Sequence, residues 1–232
     1  WGPDGVDTRI QPVPYPDPAR VVLKGLKCVV MADNGVAKPD DATMAAVVNA
    51  GRILADAGLN VVEGRIPGAD QIVAIDTGFW SVGVHAAIKQ LLTAAGTKPD
   101  DYANNWFRAT DGALDGTIRA DQLNLQLARF EAQRSRLQQY MSDYDVLVSP
   151  VNARPAPLHP APGEASFPIE YASYTMVFDH TGWPSGVVRG STSSTGLPIG
   201  VQVTANPWRD DIVLAVMAHL ERSLPAFDPP LL

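Results

Sequence analysis

The sequence is poor in the features that most directly announce a chemistry. Cys28 is its single cysteine among 232 residues, which excludes a disulfide framework. Set in the apolar run LKCVVMA, it reads as a buried, inert thiol. Nothing calls for an oxidising compartment, and a cytoplasmic location is expected. No stretch approaches the roughly 20 apolar residues that a helix needs to cross a bilayer, and the start lacks the layout of a signal peptide, so no membrane partner is expected. A start at Trp1 raises the expectation of an upstream portion. Basic runs are missing too: 18 Lys and Arg face 25 Asp and Glu, for a net charge of -7 and a pI near 5.0. That is the opposite of a phosphate-tracking surface, so no nucleic-acid partner is expected. No glycine-rich phosphate loop opens a helix after a strand. His85, His159, His180 and His219 are widely spaced, and none stands at metal-ligand distance in sequence from a Cys or Glu. Neither a metal nor a cofactor is expected.

Serine and glycine are concentrated in GSTSSTGLPIG, residues 190–200. Glycine-flanked serines are the usual sign of an activated nucleophile with an oxyanion hole. The elbow G-x-S-x-G is nevertheless absent, because Gly190 and Gly196 lie six apart with Ser191, Ser193 and Ser194 between them. The flanking runs SGVVRG and IGVQVTA are rich in strand formers, so the spacing predicts a hairpin with a small polar turn. A triad through Asp179 and His180 is disfavoured, since adjacent residues on a helix point about 100° apart.

Along the chain, the Pro- and Gly-rich residues 1–20 read as an extended connector. LKGLKCVVMADNG predicts a buried strand. KPDDATMAAVVNAGRILADAG predicts a helix capped by Asp40 or Asp41 and ended at Gly58. LNVVEGRIP supplies a second strand, completing a βαβ unit with parallel pairing. Residues 69–142 form a helical excursion. A long or broken helix runs from Ala69 to about Gly96, and Lys98 to Arg119 is a polar stretch. An amphipathic helix follows, with Leu123, Leu127, Phe130, Leu137 and Met141 near one stripe. Residues 143–232 return to the sheet with the strand YDVLVSP, a long proline loop VNARPAPLHPAPGEASFP, the helix IEYASYTMVFDHTG, the hairpin and a last helix RDDIVLAVMAHLERS with two acids in its first turn. The fold class is α/β, a mixed β-sheet sandwiched between helices.

YDVLVSPVNARPAP, SYTMVFDHTGWPSGVV and GLPIGVQVTANPWRDDIVLAVMAHLE, in that order and spacing, resemble the carboxy-terminal half of the amidase signature family. GPDGVDTRIQPVPYPDP followed by LKGLKCVVMADNG resembles the segment after that family's signature region, so the likeness covers essentially the whole chain. It implies that residues 1–232 are the carboxy-terminal portion of a single amidase domain. Members of the family hydrolyse amides with a Ser-Ser-Lys triad, whose serines sit in a Gly-Gly-Ser-Ser-Gly-Gly type run. This sequence has no such run, and Lys24, Lys27, Lys38, Lys89 and Lys98 match no catalytic position. No catalytic residue carries over, and Ser191, Ser193 and Ser194 fall in the turn before the family's GLPIGVQ strand. The resemblance points to Asn152, Thr175, Phe178 and Trp183 as pocket neighbours, although Phe178 and Trp183 fit a role in core packing equally well. Asp179, where relatives often carry Asn, would disfavour acidic substrates if it faced the cleft. The partners expected are a small-molecule amide and an amino-terminal portion of the same enzyme, with a homodimer also open. Two alternatives stand beside an amidase: a non-catalytic α/β ligand-binding module, and the glutamine-amidase subunit of a tRNA-dependent amidotransferase.

Overall fold

The computed structural model describes residues 2–7, 10, 12–80, 90–98, 119–158 and 169–226. Past a single 3₁₀ turn at Pro18–Arg20, capped by the Asp17 side chain, strand β1 (Lys27–Val30) enters the interior with Cys28 and Val29 wholly buried. Helix α1 (Asp41–Asp56) follows, and β2 (Asn60–Glu63) pairs parallel to β1, with Cys28 opposite Val61. Of the two caps the sequence offered, Asp40 is the one used: its carboxylate accepts from the Thr43 N–H at 2.8 Å. That satisfies one of the free amides at the helix start.

The excursion contributes α2 (Ala69–Trp80), a helical stretch at residues 90–94, and α3 (Ala120–Met141). The remainder of the long or broken helix and the polar stretch fall largely outside the described residues. The expected stripe on α3 needs one correction. Leu137 and Met141 are buried and Leu123 and Phe130 half-buried, but Leu127 is 41% exposed, and the buried position between Phe130 and Leu137 is Gln133. Its amide donates to the Pro67 carbonyl at 2.9 Å, so a backbone group before α2 claims a place that an apolar period would give to leucine.

Strand β3 (Val146–Pro150) is buried along its whole length and lies parallel to β1 on the side away from β2. After the proline loop, Ile169–Ala172 make a 3₁₀ turn and α4 (Ser173–Thr181) ends at Gly182 in the left-handed conformation. Strands β4 (Ser185–Thr192) and β5 (Pro198–Ala205) form the expected antiparallel hairpin, and α5 (Asp210–Ser223) closes the fold. The sheet order is β2-β1-β3-β5-β4, with β5 antiparallel to β3.

Alternation along the strands sends side chains to two faces. Cys28, Val30, Val146, Val148, Val201 and Val203 pack with Ala46, Val47 and Leu54 of α1 and Ile212, Val216 and Leu220 of α5. Val29, Met31 and Leu147 face the other way, onto Ile72 of α2, Leu137 and Met141 of α3, and Tyr174 and Val177 of α4. Helices on both faces of a five-stranded mixed sheet make the three-layer α/β arrangement that the sequence predicts. No helix among the described residues is long and apolar enough to cross a membrane.

Candidate substrate-binding site

Adjacent parallel strands whose following segments leave for opposite faces open a crevice at their carboxyl ends, and ligands of open α/β sheets gather there. β1 and β3 meet this condition. The chain after β1 leads into α1 and its cluster, whereas the chain after β3 leads to α4 and the other cluster.

Backbone and buried polar groups tie the walls of this crevice together. The Asp40 N–H donates to the Ala153 carbonyl at 3.0 Å, and the Ala153 N–H to the Tyr171 carbonyl at 3.3 Å. Asn34, 2% exposed, stands at the centre. Its side-chain amide donates to Ser173 Oγ at 2.8 Å, and its Oδ1 accepts from the Val36 N–H at 2.9 Å. The Tyr174 hydroxyl accepts from the Asn34 N–H at 3.2 Å and donates to the Ala37 carbonyl at 2.8 Å. Burial pushes the Tyr174 phenol up to about 12, so it keeps the proton that this bond uses. On β5, Gln202 donates to Ser149 Oγ at 3.3 Å and to the Tyr174 carbonyl at 3.2 Å, fixing α4 over the strand ends.

Where the chain leaves β3, a pocket of about 250 Å³ opens between Thr43 of α1, residues 151, 152 and 154–157, Val187 of β4 and Pro198–Gly200 of β5. Gly200 is required by close approach. A Cβ there would lie 2.7 Å from a Val151 methyl and 3.0 Å from a Val187 methyl, closing the space between the strands.

Of the four residues singled out from the sequence, Asn152 lines this pocket, half-buried, with its Oδ1 accepting from the Arg154 N–H at 3.4 Å. Thr175 is half-buried on α4, its hydroxyl donating to the Ala172 carbonyl at 3.0 Å. Phe178 and Trp183 are both buried in the cluster beneath α4. Trp183 also borders a second pocket of about 540 Å³, shared with Arg134, Trp208 and Asp210. That pocket lies at the other end of the sheet. Trp183 precedes Ser185, which pairs with Thr204, itself opposite Leu147 near the start of β3. The fold therefore does not bring the four into one cavity. Asp179 is exposed and His180 buried, its ring 4.7 Å from that of Phe130, so the two diverge as neighbours on a helix must. His85 and His159 lie outside the described residues.

Sequence reasoning missed Asn34, Thr43, Arg154 and Tyr174. The only signal for Asn34 was its place before a glycine at the end of a buried strand. The Cys28 thiol is buried and pushed up to about 12, in keeping with an inert packing role. The serine cluster shapes the turn: the Ser193 N–H donates to the Leu197 carbonyl at 2.8 Å, and Ser193 Oγ accepts from the Leu197 N–H at 3.1 Å.

The amidase family model matches residues 1–214. Human fatty-acid amide hydrolase 2 is 34% identical over 93 residues, 40% of this chain and 17% of that protein. The 6-aminohexanoate-cyclic-dimer hydrolase of Paenarthrobacter ureafaciens is 39% identical over 57 residues, 25% of this chain and 12% of that protein. Among solved structures, 6-aminohexanoate cyclic dimer hydrolase complexed with substrate superposes with a TM-score of 0.80 at 23% identity, covering 97% of this chain and 51% of that one. A bacterial aryl acylamidase of the amidase signature family gives 0.69 at 20% identity, over 88% of this chain and 44% of that one. The chain thus spans about half the length of the solved relatives, on their fold. With nearly its whole length matched by the family model, the chain belongs to the amidase family.

Proposed function

We propose that this chain is the carboxy-terminal portion of an amidase that converts an acyl-amide to a carboxylate plus an amine or ammonia. In this reading it supplies part of the central sheet and part of the substrate pocket, and the Ser-Ser-Lys triad comes from a separate amino-terminal portion. The observation that carries the reading is the family match over residues 1–214 of a sequence that contains no Gly-Gly-Ser-Ser-Gly-Gly run. The buried polar frame at the carboxyl ends of β1 and β3, with a pocket where the chain leaves β3, supports it, because orienting a substrate needs loop positions fixed by such bonds. Asn152 and Thr175 are the proposed substrate neighbours on the loop and on α4, with Phe178 and Trp183 setting α4 against the sheet from below.

The test compares the pure chain with the same chain co-produced with an amidase amino-terminal half, both given a simple aryl amide and followed by arylamine release. Turnover is expected only from the assembled pair. Robust turnover by the 232-residue chain alone would overturn the placement of the triad. An assembled pair that forms but hydrolyses no amide, aryl or alkyl, would overturn the amidase reading itself.

A further inference from the structure

The pocket at the end of β3 has a chemical bias that membership of the family leaves unspecified. Its walls are apolar, from Val151, Pro155, Pro157, Val187 and Ile199. The polar side chains that line it offer donors. Asn152 has its Oδ1 occupied by the Arg154 N–H, which leaves its amide NH₂ to face a ligand. The Arg154 guanidinium lies over the Tyr171 ring, 5.3 Å from its centroid, and has no carboxylate partner among the described residues. Thr43 is 1% exposed, and its hydroxyl has no hydrogen-bond partner among the described residues. Such an orphaned buried hydroxyl is costly, and a ligand oxygen reaching the pocket floor would satisfy it.

Among the described residues, no Asp or Glu lines the pocket. Two acids stand at the start of α1. Asp40 is engaged through Oδ1 by the Thr43 N–H, and Asp41 is exposed in the first turn. Asp179, the acid that would have argued against anionic substrates, is exposed on α4 and does not line the pocket. At about 250 Å³ the pocket lies just below the size range of drug-sized ligand sites, so it suits a short chain.

Resting on the amidase reading, we propose that this pocket is a subsite for a short, unbranched aliphatic carboxylate. The chain lies between Val151, Val187, Ile199 and the prolines, and the carboxylate meets the Arg154 guanidinium with Asn152 and Thr43 as further donors. An arginine fork matches a carboxylate in shape as well as charge, and a short apolar slot behind it measures chain length. The amides favoured by the assembled enzyme are then those that carry a free carboxylate on a chain of this length.

Hexanoate, hexylamine and hexan-1-ol, titrated separately into the complete chain and followed by amide chemical shifts, test this without catalysis. Hexanoate is expected to bind saturably, with the largest shifts at residues 43, 152, 154 and 199, and the other two probes at least about fivefold more weakly. Arg154→Met should erase the preference for hexanoate. Ala156→Trp, at an exposed position on the rim, should fill the pocket and abolish binding of all three, and both variants should melt like the parent. Equal binding of the three probes, hexanoate affinity untouched by Arg154→Met, or no saturable binding at all would each overturn the proposal. Failure of the assembled enzyme to hydrolyse any amide would instead sink the amidase reading and leave this binding result standing.

Discussion

The two faces of the sheet are built on different principles. Towards α1 and α5 the buried side chains are almost all aliphatic, with Ala46, Val47, Leu54, Val148, Val201, Val203 and Leu220 in one cluster. Towards α2, α3 and α4 the cluster is aromatic as well as aliphatic, with Tyr174, Phe178 and Trp183. On this second side Asn34, Gln133, Ser149, Ser173 and Gln202 are buried as well, and each makes at least one hydrogen bond, although Gln133 Oε1 has no partner among the described residues. An aliphatic face demands volume and tolerates rearrangement, whereas a buried polar face demands direction, because each unmade bond costs the desolvation of its group. The directional face is the one beside the crevice at the ends of β1 and β3, where loop positions must be held.

The largest effect that would test this contrast is on the aliphatic side. Leu54 is wholly buried at the centre of its cluster, and Leu54→Ala should cost about 2–5 kcal/mol in denaturant unfolding. Leu54→Met, which conserves volume, should cost less than about 1.5 kcal/mol. On the polar side a change of a single atom should matter. Tyr174→Phe keeps the ring but strips the Asn34 N–H and the Ala37 carbonyl of their partner, for an expected loss of about 1–3 kcal/mol. If Tyr174→Phe proved as harmless as Leu54→Met, the distinction between the faces would fail.

The hairpin turn lies outside both clusters and serves as a control. Gly196 has φ +84°, so Gly196→Val should cost about 1–2 kcal/mol, since a β-branched residue strains the left-handed region. Replacing Ser191, Ser193 and Ser194 together by alanine should cost about 1 kcal/mol or less and leave amide hydrolysis by the assembled enzyme within a few-fold of the parent. A triple variant that melts normally but is dead would reinstate a nucleophile there.

The smallest effect sharpens the one charged exception near the aliphatic face among the described residues. Asp211 is 5% exposed, and hydrogen bonds from Arg209 at 3.0 and 3.1 Å hold its carboxyl below the usual carboxylate range. A lowered folded-state pKa stabilises the fold above the unfolded value of about 3.9, and that contribution is lost as pH falls through the folded value. Asp211→Asn should lower the Tm at neutral pH and flatten its decline below about pH 4. An acid limb of unchanged slope would show that the pair contributes nothing.

Much of the architecture was legible from local pattern. The βαβ start, the buried strand ending at Pro150, the hairpin and the last helix follow from runs of apolar residues broken by Pro, Gly and Asp, and these act within a few residues. Asp40 could be named only as one of two caps, since both aspartates satisfy the local rule. The period on α3 misplaced Leu127 because the backbone at Pro67, remote in sequence, needs the amide of Gln133.

The site was less legible for the same reason. Asn152, beside a strand end, could be reached from the sequence, because a loop after a parallel strand is a local inference. Asn34 meets Tyr174, and Thr43 shares a pocket with Arg154, across wide separations in sequence, so both pairings depend on the sheet order. Length and charge, the absence of a serine-glycine run and the alternation of strands with helices were determined by the sequence alone, being properties of neighbours along the chain. Which donors converge on one pocket, and that Trp183 sits at the other end of the sheet from Asn152, was decided only when β3 paired between β1 and β5, because hydrogen bonds and packing act over a few ångströms of space without regard to separation along the chain.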